Sequence, residues 1–486
     1  MDFFDVENVR SVLKARWLRR PGKTPVLRGV GIDSREDLTG RIFVAIKGET
    51  HDGHGFLDAA VRAGAGLLIV EHEVQATAVT PAAAEVGILH VENSRRALGK
   101  LAQAYRRTLR GTRVIAVTGS AGKTTTKRLI HGVLATQMQG SASPRSFNND
   151  IGLPLTILHS RLSDKYLVVE VGTNAPGEIA QLASLAEPDL AVVTSIGRAH
   201  LEGLGSVEAI AREKASLLTF LRPKGMAILN ADAPALRMHF KLAQHRVLFG
   251  EAPDADLRLT GRGLHQRAGQ GQPPFWFEVN SRHRFDLHLP GKHNAMNALA
   301  AVAIGRRLGL EDDSIAIGLR GVRPAAMRMT AQRIGDVTIY NDAYNANPDA
   351  VIASLNAFAE ITADVPRRVV ILGDMLELGP AGPDLHREIG RHLATINAQT
   401  KIDAAVLIGE LSAFTASEAA RQMPSDRIYA FTQLDAATSA QIGTIIRPGD
   451  AVLIKASRGM GLERLLSALE AEHAAHLTRA PHSLTA

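Results

Sequence analysis

Short β-branched and aliphatic runs recur along the chain, each ending in a polar or glycine-rich stretch and followed by residues with helical spacing. Residues 114–117 are such a run and predict a buried strand. The run breaks at Thr118-Gly119-Ser120-Ala121-Gly122. Lys123-Thr124-Thr125 then opens a helical pattern with Leu129, Ile130, Val133 and Leu134 on its apolar side. Further strands are predicted at 42–46, 67–70, 166–172, 190–196, 226–230, 337–341, 368–372, 404–408 and 451–454. Helical stretches fall between them, among them 57–63, 94–109, 206–220 and 298–308. Alternation of this kind argues α/β architecture with parallel sheets, doubly wound over the last third of the chain. Residues 255–288 alternate polar and apolar around a Gly/Gln/Pro stretch at 268–274, which predicts a β-hairpin elaboration with a mobile tip. The tail past about residue 471 reads as short, polar and frayed.

At 486 residues the chain is too long for one core. The pattern divides it into three domains: a small α/β unit at 1–92, a central P-loop unit at 93–323 and a Rossmann-like unit at 324–486. Apolar content of 45% and charged content of 22% are ordinary for a soluble globular protein. The absence of cysteine excludes disulfides and thiolate metal sites. The acidic first residues lack the order of a signal peptide, and no apolar run reaches the ~20 residues of a membrane span. A cytoplasmic protein is expected. The net charge of +7 comes from intermixed signs, and aromatics are only 4%, too few for base-stacking platforms. Anionic small ligands therefore explain the charge better than nucleic acid does. No coiled-coil pattern or long apolar patch demands an oligomer, so a monomer is expected.

A strand, a glycine loop and a helix start make an anion site from backbone N–H groups. In such a site Lys123 reaches the β/γ-phosphates and the Thr124 hydroxyl sits on Mg²⁺. The spacing here is glycine-x2-glycine-lysine-threonine; Val117 stands where the longer form of the loop has its first glycine. Glu170 closes an apolar strand, and carboxylates at the C-terminal ends of parallel strands are well placed for the nucleotide's Mg²⁺. Patterning alone makes Lys214 a surface lysine and His200 a loop histidine. His51 and His54 beside Asp52 raise a metal site, but with no third ligand close by they read as a polar binding loop.

Taken together, these stretches resemble the Mur ligase family, the ATP-dependent amide-forming enzymes of peptidoglycan precursor synthesis. The resemblance runs nearly the whole chain. It includes Asp33-Ser34-Arg35, Phe43-Val44-Ala45, Asp52-Gly53-His54, the loop at 118–124, Glu170-Val171-Gly172 and His200-Leu201-Glu202. It continues through Gly291-Lys292-His293-Asn294, Asp342 to Pro348, Leu372 to Gly379 and Lys455 to Arg458. Asp-Ala-Tyr-Asn-Ala-Asn-Pro followed by Gly-Asp-Met-Leu-Glu-Leu-Gly is similar to the branch that joins D-alanyl-D-alanine to UDP-N-acetylmuramoyl-tripeptide. A paralogue adding another amino acid or dipeptide is the alternative. A P-loop switch protein would carry a standard Walker A loop or Asn-Lys-x-Asp, and neither is present.

The resemblance implies roles. Gly119, Ser120, Ala121, Gly122, Lys123, Thr124 and Thr125 would hold the ATP phosphates. Thr124, Glu170, His200 and Lys214 would serve two Mg²⁺ ions, with Lys214 carbamylated to N6-carboxylysine. Asn294 and Asn297 would face the adenine, and Arg328 and Asp342 would reach the nucleotide when the third domain closes. Ser34, Arg35, Lys47, Asp52, Gly53 and His54 would hold the uridine diphosphate end. Lys455, Ser457 and Arg458 would lie near the acyl phosphate and the incoming dipeptide, and Asn149 and Asn345 would also bind substrate. Three positions depart from the family pattern. Asn341 stands where a second aspartate is common, Ala456 replaces a glycine, and Met327 stands where a glycine precedes the arginine.

Overall fold

The computed structural model describes residues 3–72, 85–265 and 274–479. Three sheets follow one another along the chain. The first has strands β1 (Arg16–Arg19), β2 (Val30–Gly31), β3 (Ile42–Val44), β4 (Leu67–Val70) and β5 (Gly87–His90), in the order β1-β5-β4-β3-β2. Only β1 runs antiparallel to its neighbour. Segments that follow β2, β3 and β4 therefore emerge at one edge.

The central sheet comprises β6 (Arg113–Thr118), β7 (Gly140–Ala142), β8 (Tyr166–Glu170), β9 (Leu190–Val193), β10 (Met226–Asn230), β11 (His245–Gly250), β12 (Leu257–Leu264), β13 (Phe275–Val279) and β14 (His283–Leu287). Its order is β14-β13-β12-β11-β10-β9-β6-β8-β7, parallel from β7 to β12 and antiparallel through the β12–β14 hairpins. The third sheet, β15 (Thr330–Ile334), β16 (Val337–Asn341), β17 (Arg367–Gly373), β18 (Ala404–Ile408), β19 (Ile428–Phe431) and β20 (Asp450–Lys455), has the order β15-β16-β20-β17-β18-β19. Helices cover both faces, and only β15 is antiparallel.

The buried strands are the β-branched runs of the sequence. β6 is buried from Val114 through Thr118, and β4, β8, β9, β18 and β20 are buried along their whole lengths. Their continuous apolar character is what a sheet packed on both faces requires. One hydrophobic cluster joins the first sheet to the central one: Val9, Ile42, Ile69 and Leu89 pack in the same core as Leu98, Val114, Leu153 and Leu167. The third sheet has two clusters of its own, one on each face.

Several expected boundaries move. The helix expected at 298–308 starts at Lys292, where Gly291 at φ 93° turns the chain, and Lys292, His293, Asn294 and Asn297 interrupt the apolar pattern over its first turns. Strand 190–196 stops at Val193, and its polar continuation is strapped to the P-loop instead. The chain does not fray at residue 471, since helix Arg464–Arg479 carries it on. Positions 268–273 of the expected hairpin tip lie outside the described residues.

Candidate active site

The helix Lys123–Leu134 begins at Gly122, which sits at φ 83° with no side chain capping the N-terminus. A Cβ at Gly122 would lie 2.2 Å from Asn297 Oδ1, so the loop can pass the asparagine only as glycine. Around this helix start lies a cavity of about 600 Å³. The structure brings most of the expected residues onto its wall. Ser120, Ala121, Gly122, Lys123, Thr124 and Thr125 line it from the loop and helix start, Glu170 from the end of β8, Asn149 and His200 from the segments that follow β7 and β9, and Asn294 and Asn297 from the helix Lys292–Arg307. Arg328, Asp342, Asn345 and Lys455 close it from the third domain.

The Glu170 carboxylate is the polar centre of this wall and is almost wholly buried. Thr124 Oγ1 donates to its Oε2 at 3.0 Å, and Asn148 Nδ2 donates to its Oε1 at 3.1 Å. Lys127 Nζ lies 3.3 Å from Oε2 and also donates to the Arg145 carbonyl. One helical turn back, Lys123 Nζ donates to Gly119 O at 2.8 Å. Burial lowers the pKa of Lys123, with Glu170 opposing and Arg328 adding to the effect. The loop is held from behind: Thr194 Oγ1 donates to Ala121 O at 2.5 Å, and Ala121 N donates to Ser195 Oγ at 2.9 Å.

Lys214 is not the surface lysine that patterning suggested. It is 1% exposed on helix Val207–Ala215, and its ammonium has no hydrogen-bond partner among the described residues. Burial, helped by the charge of Lys123, lowers its pKa to about 7. The flanking Glu213 faces elsewhere, accepting from Gly177 N and Ile179 N at the start of helix Glu178–Ala186. His200 occupies the left-handed region at φ 59°, and its Nδ1 lies 2.6 Å from Glu377 Oε2 of the third domain. Burial lowers the His200 pKa; Glu377 opposes this, and both Lys123 and Lys214 reinforce it. The two lysines and the histidine thus share one electrostatic environment, although Lys214 stands behind the lining rather than on it.

The third domain reaches the loop directly. Arg328 Nη2 donates to Thr124 Oγ1 at 3.0 Å, and its guanidinium stacks 4.0 Å from the Tyr344 ring centre. Asp342 accepts from Met329 N at 3.0 Å, from Lys455 Nζ at 2.6 Å and from the Ser354 hydroxyl. Met327 sits at φ 58°, which accounts for a glycine at that position in the family pattern, whereas Ala456 has no positive φ. Asn341, in place of the second aspartate, accepts from Ala343 N within its own turn.

Other expected residues lie elsewhere. Ser457 Oγ accepts from Leu376 N at 2.8 Å and donates to Ala346 O at 3.3 Å, so its hydroxyl holds two loops together rather than facing the cavity. Arg458 is turned to Glu463 and the Met327 sulfur. Ser34, Arg35, Lys47, Asp52, Gly53 and His54 collect at the C-terminal edge of the first sheet, away from the cavity lining. Arg35 is held by Asp33, and Lys47 pairs with Asp52 through an isolated antiparallel bridge of the backbone. The third ligand missing from the sequence reading of this loop does exist: His72 brings a nitrogen within 4.8 Å of the Asp52 and His54 ligating atoms. Both His54 nitrogens are already engaged, however. Nε2 accepts from Glu71 N at 3.0 Å, which leaves the proton on Nδ1, 2.6 Å from Asp52 Oδ1. A polar binding loop fits that arrangement better than a metal site.

Sequence reasoning passed over Lys127, Asn148, Ser195, Arg198 and Glu377. Lys127 carried a signal, because four residues after Lys123 it falls on the same helix face, and Glu377 stands within the 372–379 motif.

Three family models match successive parts of the chain: the Mur ligase family catalytic domain at 26–106, the Mur ligase middle domain at 117–305 and the glutamate ligase domain at 327–458. The UDP-N-acetylmuramoyl-tripeptide–D-alanyl-D-alanine ligase of Bacillus subtilis is 35% identical over 471 residues, 96% of this chain and 98% of that one. The chain belongs to the Mur ligase family. Among solved structures, MurF from Acinetobacter baumannii superposes with a TM-score of 0.80 at 28% identity, covering 96% of this chain and 98% of its own. MurF ligase from Thermotoga maritima, solved in complex with ADP, gives 0.77 at 28% identity over 93% and 100%. The three-sheet architecture described above is that of these Mur ligases. Among the described residues, no helix is long and apolar enough to cross a membrane.

Proposed function

We propose that the chain is an ATP-dependent ligase that joins D-alanyl-D-alanine to UDP-N-acetylmuramoyl-tripeptide in peptidoglycan precursor synthesis. The observation that carries this is the meeting of the Lys123–Thr124 loop and Glu170 with Arg328, Asp342 and Lys455 around one cavity, in a chain collinear with ligases of that name. Residues 1–92 would bind the nucleotide-sugar end through the Ser34–Arg35, Lys47 and 52–54 edge. Residues 93–323 would bind ATP, and 324–486 would present the dipeptide.

The reaction has two steps. The tripeptide's terminal carboxylate oxygen attacks the γ-phosphorus, the bond to the β-phosphate oxygen breaks, and ADP leaves an acyl phosphate. The dipeptide amine then attacks the acyl carbon, sheds its proton, and displaces phosphate as the C–N bond forms. Phosphoryl transfer of this kind depends on positioning and positive charge. The amides of the open helix N-terminus, Lys123 and Arg328 provide both. Closure of the third domain excludes water from the acyl phosphate.

The carboxylate, hydroxyl and amide groups around Glu170 are hard oxygen donors suited to Mg²⁺. Thr124 and Glu170 would hold one ion, and His200 and Lys214 would serve a second. When bound, Mg²⁺ neutralises charge on the transferring phosphoryl group. The lowered pKa of Lys214 supports its carbamylation, because only a neutral amine adds CO₂, and the carbamate would extend it from behind the lining toward the phosphates. The reading places the enzyme in the cytoplasm as a monomer, with no nucleic-acid partner.

The test measures phosphate release from ATP with UDP-N-acetylmuramoyl-tripeptide, adding D-alanyl-D-alanine or single amino acids in parallel. Release with the dipeptide alone, with the pentapeptide product found by mass, is expected. Release with a different amine would keep the ligase chemistry and overturn the substrate.

A further inference from the structure

The segment after β9 joins the nucleotide loop to the third domain, and Arg198 is the residue of it that follows the loop contact directly. Ser120 Oγ accepts from Gly197 N at 2.9 Å and donates to Gly197 O at 3.0 Å, clamping Gly197 to the P-loop from both sides. Next in the chain, Arg198 N donates to Asp349 Oδ2 at 2.7 Å, and its Nε and Nη2 donate to Asp349 Oδ1 at 3.2 and 2.7 Å. Arg198 Nη1 also donates to Glu388 Oε2 at 2.5 Å. The approach is close enough that a Cβ on Gly197 would lie 2.4 Å from Asp349 Oδ2.

Asp349 stands in the first turn of helix Pro348–Ile361, and the same helix carries Ser354, whose hydroxyl donates to Asp342. Asp342 in turn holds the Lys455 ammonium at 2.6 Å. Hydrogen bonds therefore run from the P-loop to Lys455 through Gly197, Arg198 and a single rigid helix. A forked guanidinium engaged by two carboxylates fixes orientation as well as distance, which a lysine could not do.

We infer that Arg198 is the positioning residue that seats the third domain on the nucleotide loop, and that the Ser120–Gly197 clamp ties the setting of Lys455 to the state of that loop. The inference rests on the ligase reading for its consequence, because a seated domain is what protects an acyl phosphate from water. Physical intermediacy alone does not establish coupling, so the test is a cycle of variants.

Arg198→Met, Asp349→Asn and the double variant are compared with the parent for amide and ADP formed, and for the radius of gyration with and without ADP. Arg198→Met is expected to lower the rate of amide formation at least about 10-fold while the KM for ATP moves less than about 2-fold. ADP formed per amide should rise from one toward two or more as acyl phosphate leaks to water. The double variant should be no worse than Arg198→Met alone. An amide rate within 2-fold of the parent with one ADP per amide, or independent effects of the two substitutions, would overturn the inference. Should Arg198→Met not fold, Gly197→Ala keeps every charge, places a methyl against Asp349 and is expected to give the same leakage. If the parent forms no amide with any amine, the ligase reading fails. Scattering still decides the seat: with ADP the parent should be more compact than Arg198→Met, and equal radii refute it.

Discussion

Replacing Lys214 by methionine isolates the electrostatics behind the cavity wall. The ammonium is 1% exposed and lies near Lys123, and its pKa falls from the ordinary lysine value of 10.5 to about 7. At pH 7.5 the free amine therefore rises from about one lysine in a thousand to about three in four. In the unfolded chain the same group stays charged until about pH 10.5. Between these two values the unfolded state holds one more proton than the native state, so the contribution to stability grows with pH, by up to about 1.4 kcal/mol per pH unit. Below pH 7 both states are charged and the full cost of the buried cation remains. Lys214→Met lacks this dependence. The gap between the two proteins should close by about 3 kcal/mol from pH 7 to 9.5. It would be measured by urea unfolding in CO₂-free buffer, followed by the fluorescence of Trp17 and Trp276, which lie on the first and central sheets that share one core. In ¹³C-bicarbonate the parent alone should acquire a carbamate resonance that rises through pH 7. A gap that stays constant within about 1 kcal/mol, with the same carbamate signal in both proteins, would refute the argument.

Lys127→Met leaves Glu170 buried without its ion partner, and should destabilise the metal-free protein by about 3 kcal/mol in denaturant titration. Gly122→Ala meets both a left-handed backbone and the Asn297 side chain, and calorimetry should find ATP binding weakened about 10- to 100-fold. On the proposed ligase reading Lys123→Ala removes a cation from the transferring phosphoryl group and should lower turnover about 10³-fold in a coupled ADP assay, with the melting temperature little changed.

The buried strands were legible because a sheet covered on both faces needs unbroken apolar runs, and 67–70, 226–230 and 404–408 appear at those positions. The P-loop and Glu170 were legible for the same reason, since each ends such a run. Lys214 was misread because a charged residue on an amphipathic helix is ordinarily solvated, and nothing local reveals that Glu213 beside it is spent capping another helix. Arg198 left no signal at all: its partners stand 151 and 190 residues away. The early start of helix Lys292–Arg307 was hidden because its first turns face the cavity and carry polar groups, the inverse of the core-facing pattern that marks a helix.

The hydrophobic clusters also divide the molecule by how its parts can move. The first and central sheets share one apolar core, so prying them apart would expose oily surface and carry a large heat-capacity change. The third domain meets the central one largely through Arg198, Arg328, His200–Glu377 and the Arg262–Glu360 pair, with Leu201 the one central side chain packed against its core among the described residues. Swinging it away would change heat capacity little and respond steeply to ionic strength. Salt would act as a dial on this contact, loosening the third domain at concentrations that leave the shared core of the other two sheets untouched.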